Sequence, residues 1–120
     1  MNRHKALSIV YPAVENIISG SKTVEIRSWL PPHLPFLNLL LVENENYLND
    51  GEIDKHGLAK AIVDVIHCEA WTYDMFLQQS ENVRLGRSWK PGYYIWHLNN
   101  IRKIEAPVLC EARKGIYDVF

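Results

Sequence analysis

The chain has 120 residues, 48% hydrophobic and 22% charged, which fits a single globular domain over residues 1–120. Its formal net charge of −1 excludes a protein that holds nucleic acid through bulk positive charge. Its apolar runs are too short to cross a membrane, and no secretory signal precedes its two cysteines. We therefore expect a reduced, cytoplasmic protein with no membrane partner.

The first part of the chain predicts a strand, a short helix and a second strand. Residues 5–10 alternate as a strand does, and Pro12 opens a helix over 12–19 with an apolar stripe on one side. Gly20 can take the positive φ that ends a helix. Residues 23–27 then alternate again, which places Thr23, Glu25 and Arg27 on one face of a strand.

The remainder of the chain predicts mostly strands. Residues 43–56 are polar and predict a loop, Asn99-Asn100 predicts a turn, and residues 72–82 predict a second short helix. The predicted strands cover residues 36–42, 57–68, 93–98, 108–112 and 116–120. About six strands, two short helices and no βαβ alternation indicate a mixed α/β (α+β) fold, a small closed or nearly closed β-barrel.

Charged and metal-binding residue types are unevenly distributed along the chain. Residues 43–54 hold five acids and no Lys or Arg, whereas residues 84–103 hold five bases and no acid. The five histidines are scattered without the spacing of metal ligands, and no glycine-rich phosphate loop or dinucleotide fingerprint occurs. We therefore predict neither a metal ion nor a cofactor.

Two stretches are candidates for a binding site. In the first, Lys22 lies at the turn with no required partner, and Glu25 and Arg27 could pair; on spacing alone, an ordinary half-exposed strand with a surface ion pair is the favoured explanation. In the second, bases alternate with aromatic rings, as they do where single-stranded nucleic acid binds, although a solvated loop entering a core strand would look the same. Its candidate residues are Arg84, Arg87, Lys90, Tyr94 and Trp96.

Four segments together resemble the ASCH domain, a branch of the PUA-like barrel superfamily. They are Ala6-Leu-Ser-Ile9 with Tyr11-Pro12, Gly20-Ser-Lys22-Thr-Val-Glu25-Ile-Arg27, Gly57-Leu-Ala59, and Tyr94-Ile-Trp96-His-Leu98 followed by Gly115-Ile-Tyr117. The second segment matches the family hallmark. The resemblance implies a PUA-like barrel with a cleft beside the hallmark strand that binds RNA or a modified nucleoside. Its ligand-binding residues would include Lys22, Thr23, Glu25 and Arg27.

The same resemblance also implies two enzymatic alternatives. One branch of the family hydrolyses N4-acylated cytidine with a lysine, a threonine nucleophile and a distant glutamate. Lys22 matches that lysine, but Glu25 stands in the nucleophile's place, so Lys22 and Glu25 would be catalytic only if Glu25 activated water. Glu81 is a further candidate acid. Another ASCH protein is a metal-independent ribonuclease, so a binding module, an amidohydrolase and a ribonuclease remain open.

Overall fold

The computed structural model describes residues 4–84 and 86–120. The elements in chain order are β1 (His4–Val10), α1 (Ala13–Ser19), β2 (Val24–Arg27), β3 (Phe36–Asn44), β4 (Ile53–Asp54), β5 (Leu58–Ala70), α2 (Tyr73–Gln78), α3 (Glu81–Arg84), β6 (Tyr94–Leu109), β7 (Ala112–Arg113) and β8 (Ile116–Val119). Strands dominate, as the alternating sequence patterns predict.

Six strands form one mixed sheet in the order β2-β6-β5-β3-β1-β8, and β4 pairs with β7 in a small second sheet. Within the main sheet β1 and β3 are parallel, and every other pair is antiparallel. The sheet curls into a half-barrel, and its edge strands β2 and β8 do not pair with each other over the described residues. The predicted small barrel-like α+β fold is therefore confirmed, in an open form.

The main core fills the concave side of this sheet. Trp96 of β6 is fully buried there with Leu41 of β3 and Val63 of β5, and α1 adds Val14 and Ile17 to the same cluster. The stripe predicted on α1 is thus its buried face. Packing of α1 against the sheet sets the position at which the chain leaves the helix and enters β2.

A second apolar cluster covers the other face of β2 and β6. It contains Val24 and Ile26 of β2, Ile95 of β6 and Trp71, with Phe76 of α2 packed against them. Because side chains alternate along β6, Trp96 faces the main core while Ile95 faces this second cluster. The second cluster therefore packs against one face of the hallmark strand β2, although this strand lies at the edge of the sheet.

The predicted helix over residues 72–82 is two helices. Gln79 has extended backbone angles, φ −81° and ψ 143°, and separates α2 from α3. Its side-chain oxygen accepts a hydrogen bond from Trp71 Nε1 at 3.1 Å, which ties the break to the second cluster. This break lets α3 approach α1 rather than continue the direction of α2.

Two other predicted boundaries are wrong. Asn99-Asn100 is not a turn, because β6 runs through both residues, and Asn100 adopts a positive φ of 50° at an irregularity in the β5–β6 pairing. The supposed loop over residues 43–56 begins with the last two residues of β3 and contains β4. The second difference matters for the cleft described below, because residues of this segment line it.

Candidate functional site

The turn between α1 and β2 directs Lys22 into the protein. Gly20 ends the helix with φ 86°, and its N–H donates to the Ile17 carbonyl at 3.1 Å. The Lys22 N–H then donates to the Asn16 carbonyl at 3.0 Å, which folds the chain back over the helix end. Lys22 is consequently only 2% exposed. The expectation that Lys22 has no required partner is wrong, because its Nζ lies 3.5 Å from a carboxylate oxygen of Glu25.

Glu25 lies at the centre of the polar cluster formed with Lys22 and Arg27. One carboxylate oxygen lies 3.5 Å from Lys22 Nζ, and the other lies 3.0 Å from Arg27 Nη2. The Ile26 N–H also donates to the carboxylate at 3.1 Å. Glu25 is buried, so its negative charge is neutralised by the two cations rather than by water.

Two arginines connect this cluster to other parts of the fold. Arg27 Nη2 donates to the Ser8 carbonyl at 3.0 Å, which links β2 to β1 although these strands are not neighbours in the sheet. Arg87 Nη1 donates to the Ile26 carbonyl at 2.9 Å from the segment after α3. The two guanidinium groups therefore hold β1, β2 and the α3 segment around one cleft.

Burial and charge oppose each other at Lys22 and Glu25. Burial is the largest cause acting on Lys22 and lowers its pKa below the usual value of 10.5; Glu25 opposes this, while Arg87 and Arg27 add to it. Burial alone would raise the pKa of Glu25. The nearby charges of Arg27, Lys22 and Arg87 outweigh burial and lower the pKa of Glu25 from 4.5 to about 2. Glu25 is thus ionised at neutral pH.

The cluster forms one wall of a cleft with a volume of about 190 Å³. Among the described residues that line the cleft, Glu25 is the single acid and five are bases. Those bases are Lys22, Arg27, Arg84, Arg87 and Lys114. Such an excess of positive charge in a concave site attracts anions, although the protein as a whole carries a net charge of −1.

Another part of the cleft lining comes from residues that sequence reasoning assigned to a polar loop. Asn44, Asn46, Tyr47 and Leu48 line the cleft. The Asn44 amide donates to the Asn46 carbonyl, which shapes the chain after β3. Tyr47 is 80% exposed, so its ring is available to a ligand. In the sequence, the one feature that could have indicated Tyr47 as a site residue is that it is an aromatic residue in a strongly acidic stretch.

Five of the predicted site residues line this cleft: Lys22, Glu25, Arg27, Arg84 and Arg87. Thr23 and Lys90 are exposed and lie outside the described lining, and the Thr23 carbonyl accepts the Leu98 N–H at 3.0 Å within the sheet. Glu81, the further candidate acid, is also outside the lining, and its carboxylate accepts the Gly86 N–H at 2.8 Å.

The two predicted aromatic ligand contacts, Tyr94 and Trp96, lie outside the cleft lining. Trp96 is fully buried, donates its Nε1 hydrogen to the Trp29 carbonyl at 3.1 Å, and meets the Trp29 ring edge-on at 5.0 Å. Tyr94 packs against the same main core cluster. Trp96 therefore exposes no ring surface on which a base could stack, because side chains alternate along β6 and Trp96 lies on the face that packs in the core.

The mixed α/β half-barrel is consistent with the small barrel-like fold of ASCH domains. The sequence pattern of the ASCH domain matches residues 7–108, which is most of the chain. The chain therefore belongs to the ASCH domain family, which supports a general RNA-binding or PUA-like role. A search of curated proteins found no significant match. Over the described residues, each helix is too short or too polar to traverse a lipid bilayer.

Proposed function

We propose that the cleft binds one nucleotide unit of RNA or a free modified nucleoside. The observation that carries this proposal is the surplus of positive charge around a buried carboxylate: five bases and one acid line the described cleft. Phosphate oxygens gain charge-assisted hydrogen bonds from guanidinium groups. Arg87 can contribute such bonds, because its hydrogen bond to the Ile26 carbonyl uses only Nη1 and leaves other guanidinium donors for a ligand.

The size of the cleft supports a small occupant. Its volume of about 190 Å³ is below the roughly 300–1,000 Å³ of sites that enclose drug-sized ligands. A base or a phosphate fits this space, with the rest of an RNA chain lying outside it. Tyr47 at the cleft can stack on a base, as aromatic side chains do in proteins that bind single-stranded RNA.

Hydrolysis is the second candidate function, and the charges favour Lys22 over Glu25 as its catalytic group. An effective general base has a pKa near the working pH, whereas the pKa of Glu25 is about 2. The lowered pKa of buried Lys22 brings its amine closer to a useful range. If the protein is an amidohydrolase of N4-acylated cytidine or a ribonuclease, Lys22 therefore acts on the ligand and Glu25 orients it.

Binding and turnover can be separated in one set of assays. Fluorescence anisotropy with labelled single-stranded RNA measures binding, and unlabelled mononucleotides, cytidine and N4-acetylcytidine serve as competitors. The same mixtures, without added metal, are analysed by chromatography for deacylation and by gel for strand scission. We expect RNA binding that a mononucleotide can compete away; new products would establish the hydrolase function instead.

Tyr47 provides the sharpest variant. Replacing it by Ala removes a stacking surface and should weaken binding by roughly 1–3 kcal/mol, whereas Tyr47→Phe keeps the ring and should bind like the parent. Tyr73→Ala is the matched control, because Tyr73 is also an exposed tyrosine, at 53%, but lies outside the cleft lining. Equal binding by Tyr47→Ala and the parent would refute the proposed site.

The proposed location remains the cytoplasm, since Cys68 and Cys110 are both free thiols.

A further inference from the structure

His67, Glu69 and His97 converge at the surface of the β5–β6 pair. His97 Nε2 lies 2.7 Å from a Glu69 carboxylate oxygen, and His67 Nε2 lies 3.5 Å from the same oxygen. The two imidazole rings stack with centroids 5.4 Å apart and planes inclined by 14°. One potential ligand atom from each of the three residues lies within 4.8 Å of the other two.

An irregularity in strand pairing creates this convergence. Val65 pairs with Leu98, but the register shifts between Val65 and His67, so that His67 pairs with His97. Continuing the first register would instead set His67 opposite Trp96, whose side chain faces the core. The extra residue, Ile66, thus brings the two imidazoles onto one face, and Glu69 joins them because it lies two residues beyond His67.

This cluster is separate from the cleft. Glu25 pairs with Trp96 and Val24 pairs with His97, so Glu25 and His97 lie on opposite faces of the β2–β6 pair. The His67 side chain is 64% exposed, which gives an ion direct access from solvent. Neither histidine has a part in the proposed RNA site.

We propose that His67, Glu69 and His97 form a binding site for a divalent transition metal ion of the zinc type. Two imidazole nitrogens and one carboxylate oxygen are a common zinc ligand set, with water completing the coordination. A hard ion such as Mg²⁺ prefers oxygen ligands and is not expected to bind here. Because two ligands come from β5 and one from β6, the ion clamps the two strands together. The two histidines are 30 residues apart in the sequence, so the spacing of the histidines did not predict this site.

Isothermal titration of the tag-free, metal-stripped protein with ZnCl₂ and separately with MgCl₂ tests the proposal. We expect one equivalent of Zn²⁺ to bind and Mg²⁺ to give no heat of binding. His67→Ala and His97→Ala should each weaken Zn²⁺ binding by at least about tenfold, since each removes a ligand. Glu69→Gln should also weaken it, because a neutral amide is a poorer zinc ligand than a carboxylate.

His56→Ala is the matched control. His56 is an exposed histidine that lines a different surface pocket together with the carboxylate of Asp54. Its removal should leave zinc affinity unchanged. Melting curves recorded without metal check that the variants fold. If His97→Ala does not fold, the comparison of His67→Ala with the parent still tests the proposal. Absence of zinc binding by the parent, or full binding by His67→Ala, would overturn the proposal and leave only a hydrogen-bonded surface cluster.

Discussion

Glu25 and Arg27 form an ion pair at 3.0 Å on one face of β2, and the arginine uses the same Nη2 to reach the Ser8 carbonyl. The Glu25 side chain is only 6% exposed and that of Arg27 is 22% exposed. The pair therefore joins the hallmark strand to β1 and excludes most water from the carboxylate. Its disruption affects both folding and the cleft.

Glu25→Gln should be strongly destabilising. The substitution keeps the shape of the side chain but leaves the buried ammonium of Lys22 without its counter-charge. Removing one partner of a buried ion pair typically costs about 3–5 kcal/mol, because the remaining charge is stranded. Urea denaturation of the parent and the variant measures this loss of unfolding free energy.

An exposed ion pair is the control for Glu25→Gln. Lys5 and Asp118 lie 2.6 Å apart, but their side chains are 55% and 46% exposed. Lys5→Gln should therefore change the free energy of unfolding by about 1 kcal/mol or less. Similar losses for Glu25→Gln and Lys5→Gln would show that burial of Glu25 does not have the effect described.

For Lys22, the replacement by Met should be milder than the replacement by Ala. Met preserves the apolar stem, and Glu25 keeps its ion pair with Arg27 at 3.0 Å, so this substitution, unlike Glu25→Gln, leaves no buried charge without a counter-charge; we therefore expect a change of about 1 kcal/mol. Ala leaves a cavity in the same place and should cost about 2 kcal/mol or more. The ranking comes from thermal or urea unfolding, and a Met variant less stable than the Ala variant would contradict it. The contribution of Lys22 to ligand binding should be measured with the Met variant, because we expect it to be the more stable of the two.

Acid should remove the stabilising contribution of Glu25. Its folded-state pKa is about 2 against an ordinary value of 4.5, so the unfolded chain binds more protons between these values. The stabilising contribution of Glu25 is complete above about pH 4.5 and is lost as the pH falls toward 2. The total loss of unfolding free energy is about 3 kcal/mol. Urea unfolding at a series of pH values measures this loss.

The pH series needs the Glu25→Gln variant beside the parent, because other carboxylates also titrate. Gln cannot ionise, so the difference in stability between the two proteins should shrink as the pH falls below 4.5. A difference that stays constant from pH 5 to about pH 2.5 would mean that Glu25 has an ordinary pKa.

Salt dependence should distinguish Arg87 from Lys90. Sequence reasoning grouped both with the RNA-binding bases, but Arg87 lines the cleft and Lys90 does not. Arg87→Gln should reduce the slope of log affinity against log salt concentration by about 0.7, since one fewer counterion-releasing contact with single-stranded RNA remains. Lys90→Gln should leave the slope unchanged. A larger effect for Lys90→Gln would place the RNA outside the cleft.

The local features of the site were predictable from the sequence. Gly20 ends the helix in the left-handed conformation, and Glu25 and Arg27 share a face, because caps and strand alternation depend on a few adjacent residues. The strand-rich half-barrel followed from the same alternation. The family pattern also directed attention to β2, and three residues of that pattern, Lys22, Glu25 and Arg27, line the cleft.

The tertiary structure alone decided which residues meet. The burial of Lys22, the inward position of Trp96 and the presence of Tyr47 at the cleft depend on contacts between distant segments. Gly57 is an example: a Cβ atom there would lie 2.5 Å from the Cys110 carbonyl oxygen, a constraint that no local pattern reveals. The pairing of His67 with His97 depends likewise on one extra residue in β5. Periodicity fixes the face of a strand, but register and burial are set by the partner strand, which can lie 30 residues away.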